Sequence, residues 1–262
     1  MRSQPTGMSR AWLERLPETR SCNLAVALER FGELREAIAP PTYSVCVNEG
    51  FVAEDVDSGD LEADIDAYLL PPGMELPVDE DERDRLCGRI ELELDTRTRE
   101  LRLGVLDIPE EAQTNGLGSI VIDQLAGLGE DLGLGSMCLE AGNVGRWAWM
   151  RCGFDFEDPR SRAAVLGAAA GFARALGSEV ELGAIEHTWE LVDLPGTVTA
   201  REVLEAGGAA IRSVRRPISL GKALVLGPPP SANPWWGRLS LEAGSEGVVR
   251  LREYVASRGN ED

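Results

Sequence analysis

Apolar and polar residues alternate in the middle of the chain, and the spacing then becomes helical. Residues 86–94 and 100–108 alternate or nearly alternate, with a short polar segment between them, which predicts an antiparallel hairpin. A glycine-containing turn follows at residues 113–118. Beyond it, apolar residues recur at helical spacing, at Ile122, Leu125 and Leu128. The central prediction is therefore a strand that runs through a turn into a helix.

The flanks of this centre contain patterns of both classes. Before it, we predict a helix in residues 12–39, strands at 43–47 and 65–70, and a solvated loop in the acidic run 54–66. After it, we predict helices at 161–176, 199–214 and 245–256, and a β-prone segment at 218–226. This mixture predicts an α/β protein.

The glycine turn has the chemistry of a phosphate site. It reads Gln113, Thr114, Asn115, Gly116, Leu117, Gly118 and leads into a helix N-terminus, where unpaired N–H groups and a partial positive charge attract phosphate. Glycine at two of these positions removes the Cβ atoms that would keep a pyrophosphate from the backbone. The spacing does not fit the dinucleotide motif G-x-G-x-x-G. A Walker A loop is excluded because Ala223 follows the only lysine, Lys222.

The order of motifs resembles the GNAT superfamily of acetyl-CoA-dependent N-acyltransferases. Its coenzyme signature, Q/R-x-x-G-x-G/A after the fourth strand, is matched by Gln113, Gly116 and Gly118. Residues 137–140 resemble the fifth strand, residues 143–151 the helix that follows, and residues 153–156 the Gly-Phe start of the sixth strand. The resemblance implies a GNAT fold, in which helices flank a mixed, mostly antiparallel central sheet.

The resemblance also implies a domain organisation. Residues 1–194 would form the acyltransferase domain, with a core at 86–156, a helical insertion at about 160–178 and a last strand at 186–192. Residues 195–262 exceed the family core and would form a C-terminal α/β extension. This extension either packs on the domain or mediates association, for instance in a homodimer.

Acetyl-CoA is the cosubstrate that the resemblance implies. Its pyrophosphate would lie on the backbone of residues 113–119, its pantetheine arm along the end of the fourth strand, and its acetyl group towards Glu100 and Trp149. The predicted coenzyme-binding residues are Leu106, Asp107, Ile108, Gln113, Thr114, Asn115, Gly116, Leu117, Gly118, Ser119, Asn143 and Trp149.

Acyl transfer to an amine requires a base, a polarised thioester carbonyl and protonation of the departing thiolate. In the family the base is often a glutamate on the fourth strand or a neighbouring one. The candidates are therefore Glu100, Glu93 and Glu140, with Glu91 beside Glu93. Trp149 occupies the position of the usual tyrosine acid, and an indole cannot release a proton at useful pH.

The composition narrows the partners. A net charge of −19 argues against nucleic acid or an anionic membrane as a partner and suits a cationic amine acceptor, although an acidic surface also serves solubility alone. The five cysteines show no C-x-x-C pair and the chain has one histidine, so neither a disulfide framework nor a metal site is predicted. No apolar run suggests a signal peptide or a membrane span, which predicts a cytoplasmic protein.

The leading functional prediction is transfer of an acetyl group from acetyl-CoA to a primary amine of a small-molecule or peptide acceptor. One alternative is a catalytically idle GNAT scaffold that binds acyl-CoA or a protein partner. The other is a nucleotide-binding regulator that uses the same glycine turn. Turnover with an amine, coenzyme binding without turnover, and preference for a nucleotide distinguish the three.

Overall fold

The computed structural model describes most of the chain after residue 43. The described residues are 44–54, 60–71, 73–75, 77, 79, 82–83, 87–108, 116–142, 145–208, 217–228 and 235–258. The predicted helix in residues 12–39 lies outside them. Contacts divide the chain into two compact units. The first draws its described residues from Met1–Met137, Leu241–Ala243 and Arg252–Asp262, and the second from Cys138–Ser240 and Gly244–Leu251. The domain boundary at residues 194 and 195 stays a prediction.

Among its described residues, the first unit contains four strands that pair antiparallel in chain order. They are β1 Ser44–Glu54, β2 Leu61–Leu70, β3 Gly88–Asp95 and β4 Glu100–Asp107. The hairpin predicted for residues 86–108 is therefore confirmed. The predicted solvated loop at 54–66 is wrong in its second half, because residues 61–66 belong to β2. Small and apolar residues alternate with the acids there, and this period of two outweighs the acidic composition.

The two faces of these strands differ in polarity. Most buried side chains of β2, β3 and β4 share one face: Ala63, Ala67, Leu69, Ile90, Leu92, Leu94, Leu101 and Leu103. Tyr68 and Leu70, at the end of β2, are buried on the other face beside Cys87. The opposite face carries the acids, because side chains alternate between the two faces of a strand. Burial of the apolar set thus fixes which residues the polar face displays.

One irregularity interrupts the pairing of β3 with β4. Leu92 is opposite Leu103 and Glu91 is opposite Val105, so Gly104 is an extra residue on β4 and forms a β-bulge. Beyond the bulge the alternation of β4 is shifted by one residue. Ile108, which follows the strand, is accordingly buried, although its number is even and those of Leu101 and Leu103 are odd.

The helix predicted after the glycine turn is α1 Leu117–Asp131, which packs on β4. Its buried residues include the predicted Ile122, Leu125 and Leu128. The next strand, β5 Ser136–Ala141, begins in the first unit and continues into the second.

The described residues of the second unit form short strands and six helices or parts of helices. Its helices are α2 Gly145–Arg151, α3 Pro159–Ala175, α4 Thr188–Val192, α5 Ala200–Glu205, α6 Leu220–Leu226 and the first part of α7 Glu246–Arg258. Its further strands are β6 Asp155–Phe156, β7 Thr197–Val198, β8 Ile218–Ser219 and β9 Trp235–Ser240. β9 lies between β5 and β6 and is antiparallel to β6, while β7 and β8 form a separate antiparallel pair. Mixed α/β structure with mostly antiparallel strands and flanking helices is therefore confirmed.

Two predicted strands of the second unit are wrong. Residues 188–192 form α4, because His187 and Glu190 form a capping box that starts a helix. Most of the β-prone segment 218–226 is α6, which begins where the Ser219 side chain accepts a hydrogen bond from the Lys222 amide. In both segments a local cap overrides the β-propensity of the apolar residues.

Gly153, at the predicted Gly-Phe motif, has no room for a side chain. Its φ is +86°, in the region that favours glycine, and an added Cβ would lie 2.2 Å from the carbonyl oxygen of Gly247. Gly244 has a similar φ of +78°, but an added Cβ there would meet nothing within 4 Å. The first glycine is needed for conformation and space, and the second for conformation alone.

Alanine substitutions at Gly244 and Gly153 test the requirement for conformation and the requirement for space separately. Gly244→Ala should lower the free energy of unfolding by ~1–2 kcal/mol, the cost of left-handed backbone for an L-residue. Gly153→Ala should lower it by clearly more, because backbone atoms must also move apart. Urea unfolding followed by circular dichroism measures both variants. Equal losses would contradict the predicted steric conflict with Gly247.

Candidate functional site

The described part of the glycine turn begins at Gly116, which immediately precedes α1. Its φ is +76°, so a left-handed residue turns the chain into the helix. The Gly116 carbonyl oxygen accepts a hydrogen bond from the Ile120 amide at 3.1 Å, which closes the first turn of the helix. The amides of Leu117, Gly118 and Ser119 precede this bond and have no intrahelical acceptor, as at any helix start.

No side-chain hydrogen bond caps the start of α1. The Ser119 hydroxyl donates to the Gly116 carbonyl at 2.7 Å, so it points back along the turn. The first turn of α1 contains no acidic residue. Backbone N–H groups, the partial charge of a 15-residue helix and the missing Cβ of Gly118 fit a phosphate group.

The other predicted coenzyme residues are only partly described. Gln113, Thr114, Asn115 and Asn143 lie outside the described residues. Leu106 and Asp107 end β4, where Leu106 is half-buried and Asp107 exposed, and Ile108 is buried directly after the strand. The end of β4 and the start of α1 belong to the same unit, as the predicted coenzyme site requires.

An acidic groove lies on the polar face of β2, β3 and β4. Its volume is about 460 Å³, and its lining residues are Glu62, Ala63, Asp64, Glu93, Leu94, Asp95, Thr98, Glu100 and Arg102. The pairing produces this cluster, because Asp64 lies opposite Glu93, and Asp95 lies opposite both Glu62 and Glu100. Five carboxylates face one guanidinium, so the groove favours a cation.

The hydrogen bonds of the groove hold some of these acids in place. Arg102 donates to Glu100 at 2.5 Å. Burial opposes ionisation of Asp95, but hydrogen bonds from the amides of Thr98 and Arg97 outweigh it and lower the pKa of Asp95. The β3–β4 turn therefore keeps a carboxylate charged at one end of the groove.

The predicted catalytic glutamates occupy different places along the strands. Glu93 and Glu100 both line the groove. Glu100, however, begins β4, whereas the glycine turn follows its other end. Glu100 is opposite Asp95 and Asp107 is opposite Arg89, so six steps of β3, at ~3.3 Å each, separate the two ends of β4 by roughly 20 Å. Pairing thus brings Glu100 to the acidic groove and keeps it away from the start of α1.

Glu91 lies closer to the end of β4 than Glu93, the other glutamate of β3. It pairs with Val105, and its Oε2 atom would be 3.6 Å from a Cβ added to Gly104. Its Oε1 atom forms an ion pair with Arg89 at 2.7 Å. The carboxylate therefore lies beside the β-bulge, where the strand departs from regular pairing.

Glu140 and Trp149 belong to the second unit. Glu140 is exposed on β5, next to buried residues on both sides. Trp149 is half-buried on α2, and its Nε1 atom would be 2.7 Å from a Cβ added to Gly145. Its indole thus packs over the first residue of its own helix, and glycine at that residue provides the space.

Four charged groove residues were missed by the sequence analysis: Glu62, Asp64, Asp95 and Arg102. The acidic run that contains Glu62 and Asp64 predicts a loop when it is judged by composition. Judged by period, Glu62, Asp64 and Asp66 alternate with Ala63 and Ile65 and indicate one polar face of a strand.

Comparisons with known proteins add little to this picture. No family model matches the chain, and no curated protein matches it. A solved structure described as the crystal structure of nourseothricin acetyltransferase is similar at a TM-score of 0.28 and 15% identity, over 47% of this chain and 78% of that chain. At this TM-score the similarity carries no argument about fold or activity.

None of the helices described is long and apolar enough to cross a membrane. Among the same residues, no group of three or more His, Cys, Asp or Glu side chains is arranged to hold a metal ion.

The groove acids should reduce stability through mutual repulsion. Like charges directly opposite on neighbouring strands are destabilising, so Asp64→Asn should raise the free energy of unfolding by ~0.2–1 kcal/mol. Asp66→Asn is the matched control on the same face. Asp66 is also opposite a glutamate, Glu91, but it forms an ion pair with Arg89 at 3.2 Å. Replacing its charged carboxylate by an amide weakens that pair and should lower the free energy of unfolding by ~0.2–1 kcal/mol.

Urea unfolding at low salt and in 1 M NaCl measures both effects. Both differences should shrink at high salt, because ions screen exposed charges. A destabilising Asp64→Asn would mean that Asp64 has a favourable partner and that repulsion does not dominate the groove.

Proposed function

We propose that this protein is a GNAT-type N-acetyltransferase that transfers an acetyl group from acetyl-CoA to a primary amine of a cationic small molecule or peptide. The observation that carries the proposal is Gly116 in left-handed conformation at the start of α1, within a turn that matches the family signature. The acidic groove of the same unit supports a cationic acceptor.

The role proposed for each segment follows from the chemistry of its residues. The amides of residues 117–119 would hold the pyrophosphate, and the end of β4 would orient the pantetheine arm. The bound thioester supplies an activated acyl group. The acceptor nitrogen attacks its carbonyl carbon, the C–S bond breaks, and the thiolate leaves. One proton leaves the amine for a base, and one proton is needed by the thiolate.

Glu91 is the base favoured by position, because its carboxylate lies beside Gly104 and opposite Val105, where the arm is expected. Glu93 and Glu100, in the groove, would bind the acceptor's positive charges, and Glu140 remains a further candidate. Holding two substrates in reacting geometry is expected to supply most of the rate enhancement, up to ~7–11 kcal/mol.

One observation favours a second candidate, a catalytically idle GNAT scaffold that binds acyl-CoA or a protein partner. Trp149 stands where the family usually has tyrosine, and its indole Nε1 packs near the backbone of Gly145. An indole N–H can donate a hydrogen bond but cannot protonate a thiolate. Transfer would then need water or another group as the acid.

Coenzyme binding tests the glycine turn. We expect acetyl-CoA to bind the native protein in isothermal titration calorimetry, and Gly118→Glu to weaken binding by at least ~10-fold, because a carboxylate at a helix N-terminus repels phosphate. The matched control is Gly127→Glu, later in α1. An added Cβ at Gly127 meets nothing within 4 Å, so this variant should fold and bind as the native protein does.

Release of thiol in the presence of polyamines, aminoglycosides and basic peptides then separates the candidates. Binding with thiol release supports the transferase, and binding without release supports the scaffold. Failure of the native protein to bind acetyl-CoA would rule out the transferase and the scaffold that binds acyl-CoA, and would leave only a scaffold that binds a protein partner. If the protein binds a nucleotide in preference to acetyl-CoA, the nucleotide-binding regulator is the function supported for the glycine turn.

Substitution of the glutamates tests the assignment of the base. Glu91→Gln should lower kcat for thiol release by ~100-fold or more, because the amine loses its proton acceptor, while the affinity for acetyl-CoA stays unchanged. Glu93→Gln and Glu100→Gln should instead raise KM for the amine. A native kcat in Glu91→Gln would exclude this residue as the base.

A further inference from the structure

The only histidine of the chain is held by a carboxylate. His187 immediately precedes α4, and its Nδ1 atom lies 2.5 Å from the Oδ2 atom of Asp155 on β6. The side chain of His187 is 42% exposed and that of Asp155 is 27% exposed. The ring can therefore exchange a proton with water while it remains bonded to the acid.

Asp155 connects β6 to the first turn of α4. Its second oxygen, Oδ1, accepts hydrogen bonds from the amides of Phe156 at 2.8 Å and Thr188 at 3.1 Å. The Thr188 hydroxyl donates to the Phe154 carbonyl at 2.5 Å. One ionisable pair thus lies within a hydrogen-bonded connection between a strand and a helix.

Charged groups from several elements surround His187. Glu190 of α4 accepts hydrogen bonds from the amides of Glu186 and His187. Glu246 of α7 adds negative charge near the ring. The cations are Arg250 of α7, over the ring of Trp189, and Arg162 of α3, which donates to the Ile185 carbonyl.

The aromatic contact limits how the imidazole can turn. The rings of His187 and Trp189 are stacked, with centroids 4.5 Å apart and planes 10° apart, and Trp189 is buried. The Asp155 bond and this stacking together keep Nδ1 directed at the carboxylate. Protonation therefore changes the charge of the bond with little rearrangement of the ring.

We propose that Asp155 and His187 form a pH-sensitive latch that holds the first turn of α4 against β6 most firmly when the imidazole is protonated. A proton from solvent converts the bond into one between two ions, which is stronger than a bond to a neutral imidazole. The proposal is independent of coenzyme binding and of acyl transfer.

The direction of the pH effect follows from the surroundings of the ring. The hydrogen bond to Asp155 raises the pKa of His187 above its ordinary value of 6.5, against the opposing effect of burial. A group with a raised pKa stabilises the fold fully below its unfolded-state pKa, and this contribution disappears as the pH rises through the folded-state value. The latch should therefore loosen on the alkaline side of neutrality.

Loosening of the latch would also affect the stability of the helices that pack on α4. This helix contacts α2 and α6, and a Cβ added to Gly221 of α6 would lie 2.4 Å from the Leu191 carbonyl oxygen. Such close packing leaves little freedom for α4 to move alone. The start of α4 is thus the point where one proton changes the stability of several helices.

Two measurements on the native protein test the latch. The imidazole signals of the single histidine report its titration in NMR spectra recorded from pH 5 to pH 9. Amide hydrogen exchange, corrected for the chemical rate, reports opening of residues 188–192. We expect exchange about five-fold slower in the protonated state, from the difference between charged and neutral hydrogen bonds, with the midpoint at the NMR value. Exchange in the β3–β4 hairpin is the internal reference and should show no such midpoint.

His187→Gln is the matched variant, because glutamine can still donate to Asp155 but does not titrate. Its segment 188–192 should exchange at the same corrected rate at every pH. The proposal is overturned if native exchange in 188–192 shows no step at the histidine midpoint, or if the step persists in His187→Gln. Should the variant not fold, the coincidence of the two native midpoints decides alone.

Discussion

The alternation of buried and exposed residues across β2, β3 and β4 is the constraint on which the candidate site depends. Each strand turns most of its leucine, isoleucine and alanine side chains to the covered face, and register is strictly specified wherever one face is buried. Once the apolar side chains are on the covered face, the acidic residues between them must lie on the opposite face. The acidic groove is in this sense a consequence of packing, since Asp64 meets Glu93 because Ile65 meets Leu92.

The length and regularity of the apolar pattern decide which elements could be predicted from the sequence. The hairpin, α1 and α7 were predictable because their periods are long and regular. β2 was predicted too short, since a high acidic content was given more weight than a period of two. α4 and α6 were mistaken for strands, because five to seven apolar residues fit either element and only the capping contacts of His187, Glu190 and Ser219 distinguish them.

The candidate site shows the same division. Motif order pointed to the glycine turn, and the conformation of Gly116 agrees with a turn that only glycine enters easily. The separation of Glu100 from that turn follows from strand direction and length, which the hairpin prediction already contained. The closeness of Glu91 to Gly104 does not follow from any local pattern, because it requires the register of β3 against β4. Contacts that depend on pairing between strands are the ones a single sequence cannot supply.

Gly104 also changes how the residue numbers of the fourth strand relate to its two faces. Before the bulge the odd-numbered residues face the core, and after it the even-numbered residues do. The sequence carries a trace of this, because Leu101, Leu103 and Ile108 do not fit one alternation. Deleting Gly104 would put Val105 directly after Leu103 and opposite Glu91, so Leu106 would stay opposite Ile90 and Asp107 would stay on the polar face. The loss of this one residue should therefore be tolerated in evolution, whereas the loss of a second residue beside it would bring Asp107 to the core face.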